Sequence, residues 1–473
     1  MLHKQFVKFS GRMVMVGFGS IGQGVLPLFL RHIDMKADQI TIVTAEDRGH
    51  DEAELHHVHF MQKALTRENY LETLRPMLGK GDILVNLSVD VSSIALIEFC
   101  HEIGALYIDT CIEPWPGGYT DPDLSPSQRS NYALRESALA VRRRLGEDGP
   151  TAVITHGANP GLVSHFVKQA LLDIARDTGV TTAVPTDRAG WAALARTLGV
   201  KVVHIAERDT QIAGLNPKHV GEFVNTWSID GFISEGCQPA ELGWGAHEKA
   251  LPPDGHHHEF GEQAAIWLSR PGASTRVRTW TPLEGPFHGF LITHGESISI
   301  SDYFTVREHG KVVYRPTCHY AYHPCDDAVL SIHEFAGKNW VQQPRKRLIV
   351  DQVTEGIDEL GVLLMGHAKG AYWYGSRLSI DEARALAPYN NATSLQVTAP
   401  VLAGVIWALE NPQRGVTEPD EMDFDRVLEI CAPYLGPVVG AYSDWTPLEG
   451  REALFPEDLD RDDPWQFKNF RVV

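Results

Sequence analysis

Cysteine is scarce in this sequence and is not arranged in pairs. The 473-residue chain has six cysteines, and no two of them form a C-x-x-C motif. This pattern excludes a disulfide framework of the kind that stabilises small secreted domains. It favours reduced thiols in a cytoplasmic protein.

Long apolar runs and an excess of basic residues are also absent. The N-terminal residues lack the apolar run of a signal peptide, and no later stretch predicts a membrane span. Lysine and arginine total 42 against 61 aspartates and glutamates, a formal net charge of −19. This charge disfavours a nucleic acid or an anionic membrane as partner and favours cationic ligands, although solubility alone also explains it.

The first third of the chain predicts an α/β fold, specifically a Rossmann-type doubly wound parallel sheet. Short, fully apolar strands alternate here with helical stretches such as residues 94–103, a pattern typical of a parallel sheet that is covered on both faces. The predicted strands are residues 13–16, 40–44, 83–87, 105–109 and 151–155. At this length we expect more than one domain, and residues 1–160 form the first.

The pattern changes after residue 160. Residues 161–395 predict a second, mixed α+β domain for substrate binding, catalysis and dimerisation, whose strands include residues 291–293 and 297–301. Helical periodicity returns in residues 399–409 and 426–432. We therefore expect residues 396–473 to form a helical C-terminal segment that packs back on the first domain.

A glycine loop at residues 17–22, with the sequence G-F-G-S-I-G, lies between the first predicted strand and a predicted helix. Gly17 permits the tight turn, Gly19 lets a pyrophosphate approach the backbone, and Gly22 lets the helix pack on the sheet. Ser20 and Ile21 complete the first helical turn, whose N-terminus faces the phosphate charge. The arrangement predicts dinucleotide binding.

Acidic residues at the end of the second strand indicate which dinucleotide is bound. Glu46 and Asp47 lie where a carboxylate accepts hydrogen bonds from a ribose hydroxyl. A carboxylate at this place repels a 2′-phosphate, so NAD is preferred to NADP. Arg48 weakens that preference without reversing it.

Ligands of a doubly wound sheet bind beyond the carboxyl ends of its strands. The loops at these ends carry polar residues that can contact the cofactor or the substrate. These residues are Ser88, Asp90, Asp109, Glu113, His156 and Asn159. Of these, Ser88, Asp109 and Asn159 are the candidates for cofactor binding.

Four further motifs carry a resemblance to a known family. They are H-G-A-N-P-G at residues 156–161, A-E-R-D-T-Q at 206–211, N-T-W-S at 225–228 and L-I-T-H-G-E at 291–296. Together with the glycine loop they resemble the bacterial homospermidine synthases, within the wider saccharopine dehydrogenase-like group. The similarity runs over essentially the whole chain.

The resemblance implies an enzyme of polyamine biosynthesis that joins two putrescine molecules into homospermidine and releases ammonia. NAD⁺ takes a hydride from the carbon that bears one amine, and a second putrescine attacks the resulting iminium. Ammonia departs, and the Schiff base takes the same hydride back. NAD is therefore a recycled prosthetic group, and the family also suggests a homodimer.

The matched motifs supply the groups that this chemistry needs. Trp227 is the candidate residue whose ring face stabilises the transient iminium through a cation–π interaction. Glu207 and Glu235 are candidates for holding ammonium groups or accepting protons. Which carboxylate binds which amine, and which group is the general base, stays open.

Further candidates come from both predicted domains. His294 and Glu296 lie two residues apart on a predicted strand, so both face one side. That spacing suits either a histidine tuned by a carboxylate or a paired amine clamp. Asn159 can orient the amine or the nicotinamide carboxamide, and Asp90 and Glu113 are substrate-binding candidates on the Rossmann side.

Two other functions remain as alternatives. A saccharopine or carboxynorspermidine dehydrogenase-type oxidoreductase would turn over free NAD(P)H, but its carboxylate-bearing substrates call for arginine or lysine clamps. A non-catalytic NAD-binding protein would bind the dinucleotide without converting amines. The histidines at residues 256–258 follow P-P-D-G and predict a surface loop, so we expect no metal.

Overall fold

The computed structural model describes residues 3–472 and resolves the chain into two compact units. The first unit contains the described residues up to Leu162 together with Asp381–Leu435, and the second contains Val163–Ile380 and the residues from Gly436 onward. Both units are therefore built from separate stretches of chain. The boundaries predicted from the sequence, residues 160 and 395, instead assign all of the last 78 residues (473 − 395) to one segment.

The secondary structure of the described residues is as follows. The strands are β1 Val7–Lys8, β2 Met13–Val16, β3 Ile33–Asp34, β4 Ile40–Thr44, β5 His59–Gln62, β6 Ile83–Asn86, β7 Leu106–Asp109, β8 Ala152–Val153, β9 Val202–Asp209, β10 Glu222–Asn225, β11 Pro239–Gly243, β12 Gly255–His257, β13 Ala265–Pro271, β14 Arg276–Thr281, β15 Gly285–Phe290, β16 Val306–Glu308, β17 Lys311–Tyr314, β18 Thr317–His323, β19 Arg345–Leu348, β20 Ile357–His367, β21 Gly370–Ser379, β22 Val416–Thr417, β23 Val438–Ser443 and β24 Arg471–Val472. The helices are α1 Ser20–His32, α2 His50–Leu55, α3 Tyr70–Leu74, α4 Ser93–Ile103, α5 Asn131–Leu145, α6 Leu162–Asp177, α7 Arg188–Leu198, α8 Ile229–Cys237, α9 Gly295–Tyr303, α10 Asp326–Gly337, α11 Ile380–Leu386, α12 Ala392–Glu410, α13 Phe424–Cys431 and α14 Phe467–Phe470.

The main sheet of the first unit is parallel throughout and has the strand order β22-β8-β7-β6-β2-β4-β5. Every residue of β2, β6 and β7 is buried, which explains why these strands are apolar except for Asn86 and Asp109 at the ends of β6 and β7. The prediction of a doubly wound parallel sheet is confirmed. The strand order reverses between β2 and β6, where such folds bind their ligands.

Helix α12 forms part of the core of the first unit. It begins at Ala392, earlier than the sequence predicts, and packs against α1, α13 and β7. Among the described residues it is the one helix that is long and apolar enough to cross a membrane, but 89% of its apolar window is buried inside the protein. Its composition is that of a buried core helix.

The second unit is built on a mixed sheet of eleven strands. Its main path runs β12-β13-β11-β18-β9-β20-β21-β23, and β14, β15 and β24 pair beside it. Strands β9 and β18 are parallel, whereas β20 runs antiparallel to β9. The prediction of a mixed α+β second domain is confirmed.

Two predicted strands of this unit are wrong. The expected strands at residues 291–293 and 297–301 are an irregular segment followed by helix α9. All residues from Glu296 to Tyr303 are buried, so the alternation of serine and isoleucine does not separate a solvent-exposed face from a buried one. The small serines instead allow α9 to lie close to β11, where a methyl group added at Gly243 would come within 1.9 Å of Ser301 Oγ.

The histidine-rich segment also differs from the expected surface loop. Residues up to His257 form the short strand β12, and the ring of His256 stacks on Trp267. His258 is buried, with its Nε2 atom 3.2 Å from Oε1 of Glu241. The surface-loop prediction is therefore wrong for His258, because its ring is inserted beside a carboxylate of β11.

Candidate active site

The glycine loop lies between β2 and α1 with the geometry of a dinucleotide turn. Gly17 has φ +86°, and a Cβ there would come within 2.8 Å of the backbone of residues 87 and 88. A Cβ at Gly19 would meet no atom within 4 Å, so this position leaves space for a ligand to approach. At Gly22 a Cβ would come within 3.0 Å of the Phe18 ring. The turn at Gly17 and the space at Gly19 fit the roles that the sequence predicts for these two glycines.

The N-terminus of α1 fits an anionic ligand. Gly19 is the N-cap, and in the described part of the chain no side chain caps this end and no acidic residue lies in its first turn. The first turn, which contains Ser20 and Ile21, therefore presents backbone N–H groups and the positive end of the helix dipole. These features match what a pyrophosphate requires.

Glu46 lies in the exposed loop after β4, where the sequence predicts contact with a ribose. Its Oε2 atom is 3.3 Å from a guanidinium nitrogen of Arg48. The positive charge of Arg48 is thus paired with a carboxylate rather than free to attract a 2′-phosphate. The pairing agrees with the predicted preference for NAD.

Asp109 ends β7 and is buried in a hydrogen-bond network. Its Oδ1 atom accepts a hydrogen bond from the Thr155 N–H (2.6 Å) and its Oδ2 atom accepts one from the Tyr107 hydroxyl (2.7 Å). Burial raises the pKa of Asp109 to about 7. Asn86 donates to the Tyr107 hydroxyl and accepts a hydrogen bond from Ser88. The network therefore connects Ser88 with Asp109 at the carboxyl ends of β6 and β7.

Glu113 and Asp90 lie together at the same edge of the sheet. The backbone N–H of Asp90 is 3.4 Å from Oε2 of Glu113, and the Cys111 thiol donates to Oε1. The backbone of Glu113 is fixed by reciprocal hydrogen bonds with Ser93. Glu113 is buried, whereas Asp90 is exposed. The structure thus brings this predicted pair together.

His156 and Asn159 occupy the loop after β8. His156 is fully buried, its Nδ1 atom lies 2.8 Å from the carbonyl oxygen of Pro400, and burial lowers its pKa to about 4. A Cβ at Gly404 would come within 2.8 Å of that Nδ1 atom. His156 therefore anchors this loop to α12 as a neutral imidazole. Asn159 is half-buried and follows it in the loop.

In the second unit, three neighbouring strands place acidic and aromatic side chains on one face of the sheet. The register pairs Tyr322 of β18 with Glu207 of β9, and Asp358 of β20 with Asp209 of β9. Directly paired residues, and residues two apart along a strand, project to the same side. With the neighbouring groups from α8, α9 and the loop after β10, they form what we call the acidic-aromatic cluster. Its members are Glu207, Asp209, Trp227, Glu235, His294, Glu296, Tyr320, Tyr322 and Asp358.

Hydrogen bonds and ring contacts connect the middle of this cluster. The Tyr320 hydroxyl donates to Oε2 of Glu207. The rings of Tyr320 and Tyr322 stack with centroids 5.0 Å apart, and the Trp227 indole N–H donates to the Tyr322 hydroxyl at 3.0 Å. Trp227 is half-buried. Two residues predicted from the motifs, Glu207 and Trp227, are thus linked through a pair of tyrosines.

His294 lies between two carboxylates. Its Nε2 atom is 3.0 Å from Oε2 of Glu235, and its Nδ1 atom is 3.4 Å from Oε1 of Glu296. Burial lowers the pKa of His294, but the two carboxylates raise it more, and the pKa lies well above its usual value. The two carboxylates therefore favour the protonated form of the imidazole. Residues 294 and 296 come together at the N-terminus of α9 rather than along a strand.

Four members of the cluster were not predicted from the sequence. Asp209 accepts hydrogen bonds from the Thr226 hydroxyl and the Gln211 backbone N–H, both at 2.8 Å, and burial raises its pKa. Asp358 is fully buried. The sequence indicates it only as a charged residue next to the apolar run of β20. Tyr320 and Tyr322 alternate along β18, a pattern that marks one face of a strand.

Metal binding has one weak candidate elsewhere. Within residues 3–472, His50, Asp51 and Glu54 have potential ligand atoms within 4.8 Å of one another, and all three are exposed. Exposed acidic groups of this kind are common on helix surfaces, and they do not by themselves define a site.

Comparisons with known proteins first define a class. Residues 13–153 match the family model described as the saccharopine dehydrogenase NADP binding domain, and residues 157–442 match the saccharopine dehydrogenase C-terminal domain. Saccharopine dehydrogenase (L-Glu forming) from Saccharomyces cerevisiae has a TM-score of 0.53 at 11% identity, covering 92% of this chain and 100% of that one. The fold and the dinucleotide site are therefore those of the saccharopine dehydrogenase-like group.

Relatives of higher sequence identity show which family within this class the chain belongs to. Homospermidine synthases from Blastochloris viridis and Mesorhizobium japonicum are 57% and 53% identical, over 98% of this chain and 98% and 97% of theirs. The crystal structure of homospermidine synthase from Legionella pneumophila in complex with NAD has a TM-score of 0.92 at 50% identity and covers 98% of each chain. The chain belongs to the homospermidine synthase family. The predictions of the family, of an enzyme and of NAD as cofactor are confirmed.

Proposed function

We propose that this chain condenses two molecules of putrescine into homospermidine and ammonia. The observation that carries the proposal is the acidic-aromatic cluster of the second unit. Its described members include carboxylates, an imidazole, two tyrosines and a tryptophan, but no lysine or arginine. A diamine presents only cationic ends, and carboxylates bind ammonium groups through charge-assisted hydrogen bonds.

The same composition weighs against a substrate that carries carboxylates. Such a substrate needs arginine or lysine partners, whereas carboxylates of the cluster would repel it. A saccharopine or carboxynorspermidine dehydrogenase-type activity is therefore disfavoured by charge. A non-catalytic NAD-binding protein would leave this buried set of titratable groups without a role.

When bound, NAD supplies a hydride acceptor that oxidises the amine-bearing carbon and later returns the hydride to the Schiff base. We assign the holding of the first diamine's ammonium groups to Glu207 and Glu235. Glu235 is the more exposed of the two, at 17% for its side chain. Asp90 and Glu113 are assigned to substrate binding in the first unit, and Asn159 to orienting the amine or the carboxamide.

Trp227 is assigned the stabilisation of the iminium. Its indole N–H is engaged by Tyr322, which fixes the ring plane. A cation over an indole face is stabilised by about 0.5–2 kcal/mol, depending on desolvation.

His294 is assigned the proton that departing ammonia requires. When the second amine has added to the iminium carbon, the carbon–nitrogen bond to the first nitrogen breaks, and that nitrogen leaves as ammonia only after it has been protonated. An imidazolium held between Glu235 and Glu296 can donate this proton. The two carboxylates then favour the return of a proton to the neutral imidazole, and the second amine supplies that proton, because it must lose one when it adds to the iminium carbon.

The experiment is incubation of the purified protein with putrescine and a catalytic amount of NAD⁺. We expect one ammonia for each homospermidine, in large excess over NAD⁺, with no accumulation of NADH. Accumulation of NADH in proportion to amine consumed, with no homospermidine, would contradict the proposal. The resemblance further suggests a homodimer in the cytoplasm, and size-exclusion chromatography with light scattering tests the dimer.

A further inference from the structure

A second carboxyl–imidazole pair lies in the core of the second unit, outside the acidic-aromatic cluster. Glu241 of β11 and His258, just after β12, approach with Oε1 and Nε2 3.2 Å apart, and both side chains are fully buried. A buried carboxylate by itself is strongly unfavourable, whereas a carboxyl and an imidazole can stay neutral as a pair. Nothing in the chemistry proposed above uses this pair.

The pair connects to the cluster through one residue. The Thr293 hydroxyl donates a hydrogen bond to Oε2 of Glu241 at 2.8 Å. Thr293 immediately precedes His294 in the chain. Residues 291–294 form no helix or strand, so side-chain contacts contribute strongly to where the backbone of this segment lies.

Strand β11 supports this segment at two points. Glu241 and Gly243 are two residues apart on β11 and therefore project to the same side of the sheet. Glu241 binds Thr293, and Gly243 leaves the space for Ser301 and for the backbone of Ser297. Helix α9, whose N-cap is His294, is thus held against β11 by the hydrogen bond of Thr293 and by the close approach at Gly243.

We propose that Glu241 and His258 are positioning residues, which act through Thr293 to fix the orientation of the His294 imidazole between Glu235 and Glu296. The catalytic part of this inference rests on the proposed function. Displacement of a reacting group by about 1 Å can reduce the rate by roughly 100-fold. The hydrogen bond from Thr293 to Glu241 therefore matters for turnover.

The test compares Thr293→Val with Thr293→Ser in the full-length protein with NAD bound. Valine has the shape of threonine but no hydroxyl, whereas serine keeps the hydroxyl and loses a methyl group. We expect kcat to fall about 10- to 100-fold in Thr293→Val, with a smaller change in KM, and to be largely restored in Thr293→Ser. Equal kcat values in all three proteins would overturn the proposal.

A second measurement separates positioning from stability alone and needs no substrate. The His294 imidazole is followed by NMR with histidine labelled at Cε1, and its resonance is assigned by its absence in His294→Gln. We expect Thr293→Val to lower the pKa of His294, since the ring moves relative to its two carboxylates. An unchanged His294 titration together with a lowered melting temperature would show a merely structural role and would refute the inference.

The pair itself is tested with Glu241→Gln/His258→Gln, which removes both titratable groups together and avoids a lone buried charge. We expect this double variant to shift the His294 titration in the same direction as Thr293→Val, because the glutamine amide rotates away from the fixed geometry of the pair. Retention of the original titration in a folded double variant would exclude Glu241 and His258 as positioning residues. Failure of the proposed function would show differently, as no homospermidine from the unsubstituted protein.

Discussion

At the scale of single residues, Trp227 has one described hydrogen bond, through its indole N–H, and its proposed role depends on the ring face alone. Trp227→Phe keeps an aromatic face, and we expect it to retain a large part of kcat/KM for putrescine. Trp227→Ala removes the face, and we expect a loss of roughly 10- to 30-fold, since about 1–2 kcal/mol of cation–π stabilisation disappears.

A matched control for Trp227 is available in the same unit. Trp340 is also half-buried and packs on Phe335, outside the cluster. Trp340→Ala measures what truncating a half-buried indole does to stability, and we expect it to leave kcat/KM unchanged. Equal losses in Trp227→Phe and Trp227→Ala would argue against a role of the ring face.

The protonation of His294 gives a second prediction at this scale. Its pKa is raised by Glu235 and Glu296 against the effect of burial. A group with a raised pKa stays protonated up to a higher pH, so activity that needs the imidazolium persists through neutral pH. In Glu296→Gln one of the raising charges is lost, and we expect kcat to decline with rising pH at a lower pH than in the unsubstituted protein.

The measurement is the pH profile of kcat for both proteins, with saturating putrescine. An exposed carboxylate provides the control: Asp123 has a described contact with Asp121 and none with His294, so Asp123→Asn should not move the profile. If the alkaline limb of Glu296→Gln coincides with that of the unsubstituted protein, His294 is not the proton donor.

Residues of the site differ in how far they could be predicted from the sequence. Glu207, Trp227 and His294 were found because they lie in short motifs, and the structure brings them into one cluster. Asp209 and Asp358 were not found, because the register between β9 and β20 joins positions about 150 residues apart. Such pairing depends on tertiary structure and cannot be predicted from the local pattern of a single sequence.

At the scale of secondary-structure elements, the close approach of α9 to β11 gives a prediction at Gly243. An added methyl group would come within 1.9 Å of Ser301 Oγ and 2.4 Å of the Ser297 carbonyl oxygen. One of these atoms belongs to the backbone, so the helix itself must shift. We expect Gly243→Ala to reduce the free energy of unfolding by about 1–3 kcal/mol and to reduce kcat, because α9 carries His294.

Gly337 provides the control for this substitution. A Cβ at Gly337 meets no atom within 4 Å, so we expect Gly337→Ala to leave stability and kcat close to those of the unsubstituted protein. Thermal unfolding and steady-state kinetics measure both effects. A Gly243→Ala protein with unchanged stability would show that α9 and β11 can separate without loss.

Elements were predicted well where burial and periodicity agree. The strands β2, β4, β6 and β7 are buried apolar runs, and their bounds lie within a residue or so of the prediction. Strand β5 was missed because its sequence, H-F-M-Q, is half-exposed and has no apolar run. Helix α9 was predicted as strand because it is buried on all sides, which removes the helical periodicity on which such predictions depend.

At the scale of the whole molecule, the chain passes from the first unit to the second at residue 162, returns for Asp381–Leu435 and leaves again. The segment Asp381–Leu435 adds α12 and β22 to the first unit, and the residues from Gly436 onward add β23 to the second. The sequence predicts a boundary at residue 160, near the first of these crossings, but not the crossings at residues 381 and 436. They follow from which sheet each strand joins.

Each unit also contains a buried carboxyl group that should link its stability to pH. Burial raises the pKa of Asp109 in the first unit to about 7 and that of Glu248 in the second to about 7. In the unfolded chain these groups titrate near 3.8 and 4.5, so the folded units bind an extra proton between these values and pH 7. Their stabilising contribution is complete below the unfolded pKa and is lost as pH rises toward 7.

We therefore expect the stability of the first unit to decline less between about pH 4 and pH 7 in Asp109→Asn than in the unsubstituted protein. We expect the same of the second unit in Glu248→Gln. The amide keeps an oxygen that accepts the Thr155 N–H and a nitrogen that can donate to the Tyr107 oxygen, so the fold of the first unit is preserved. Calorimetric scans across this pH range measure the slope for each transition, with Asp123→Asn as the exposed control. Because each carboxyl belongs to a different unit, each substitution should change the pH dependence of its own transition only. Slopes that remain parallel to the control would mean that these carboxyl groups are already ionised in the folded protein.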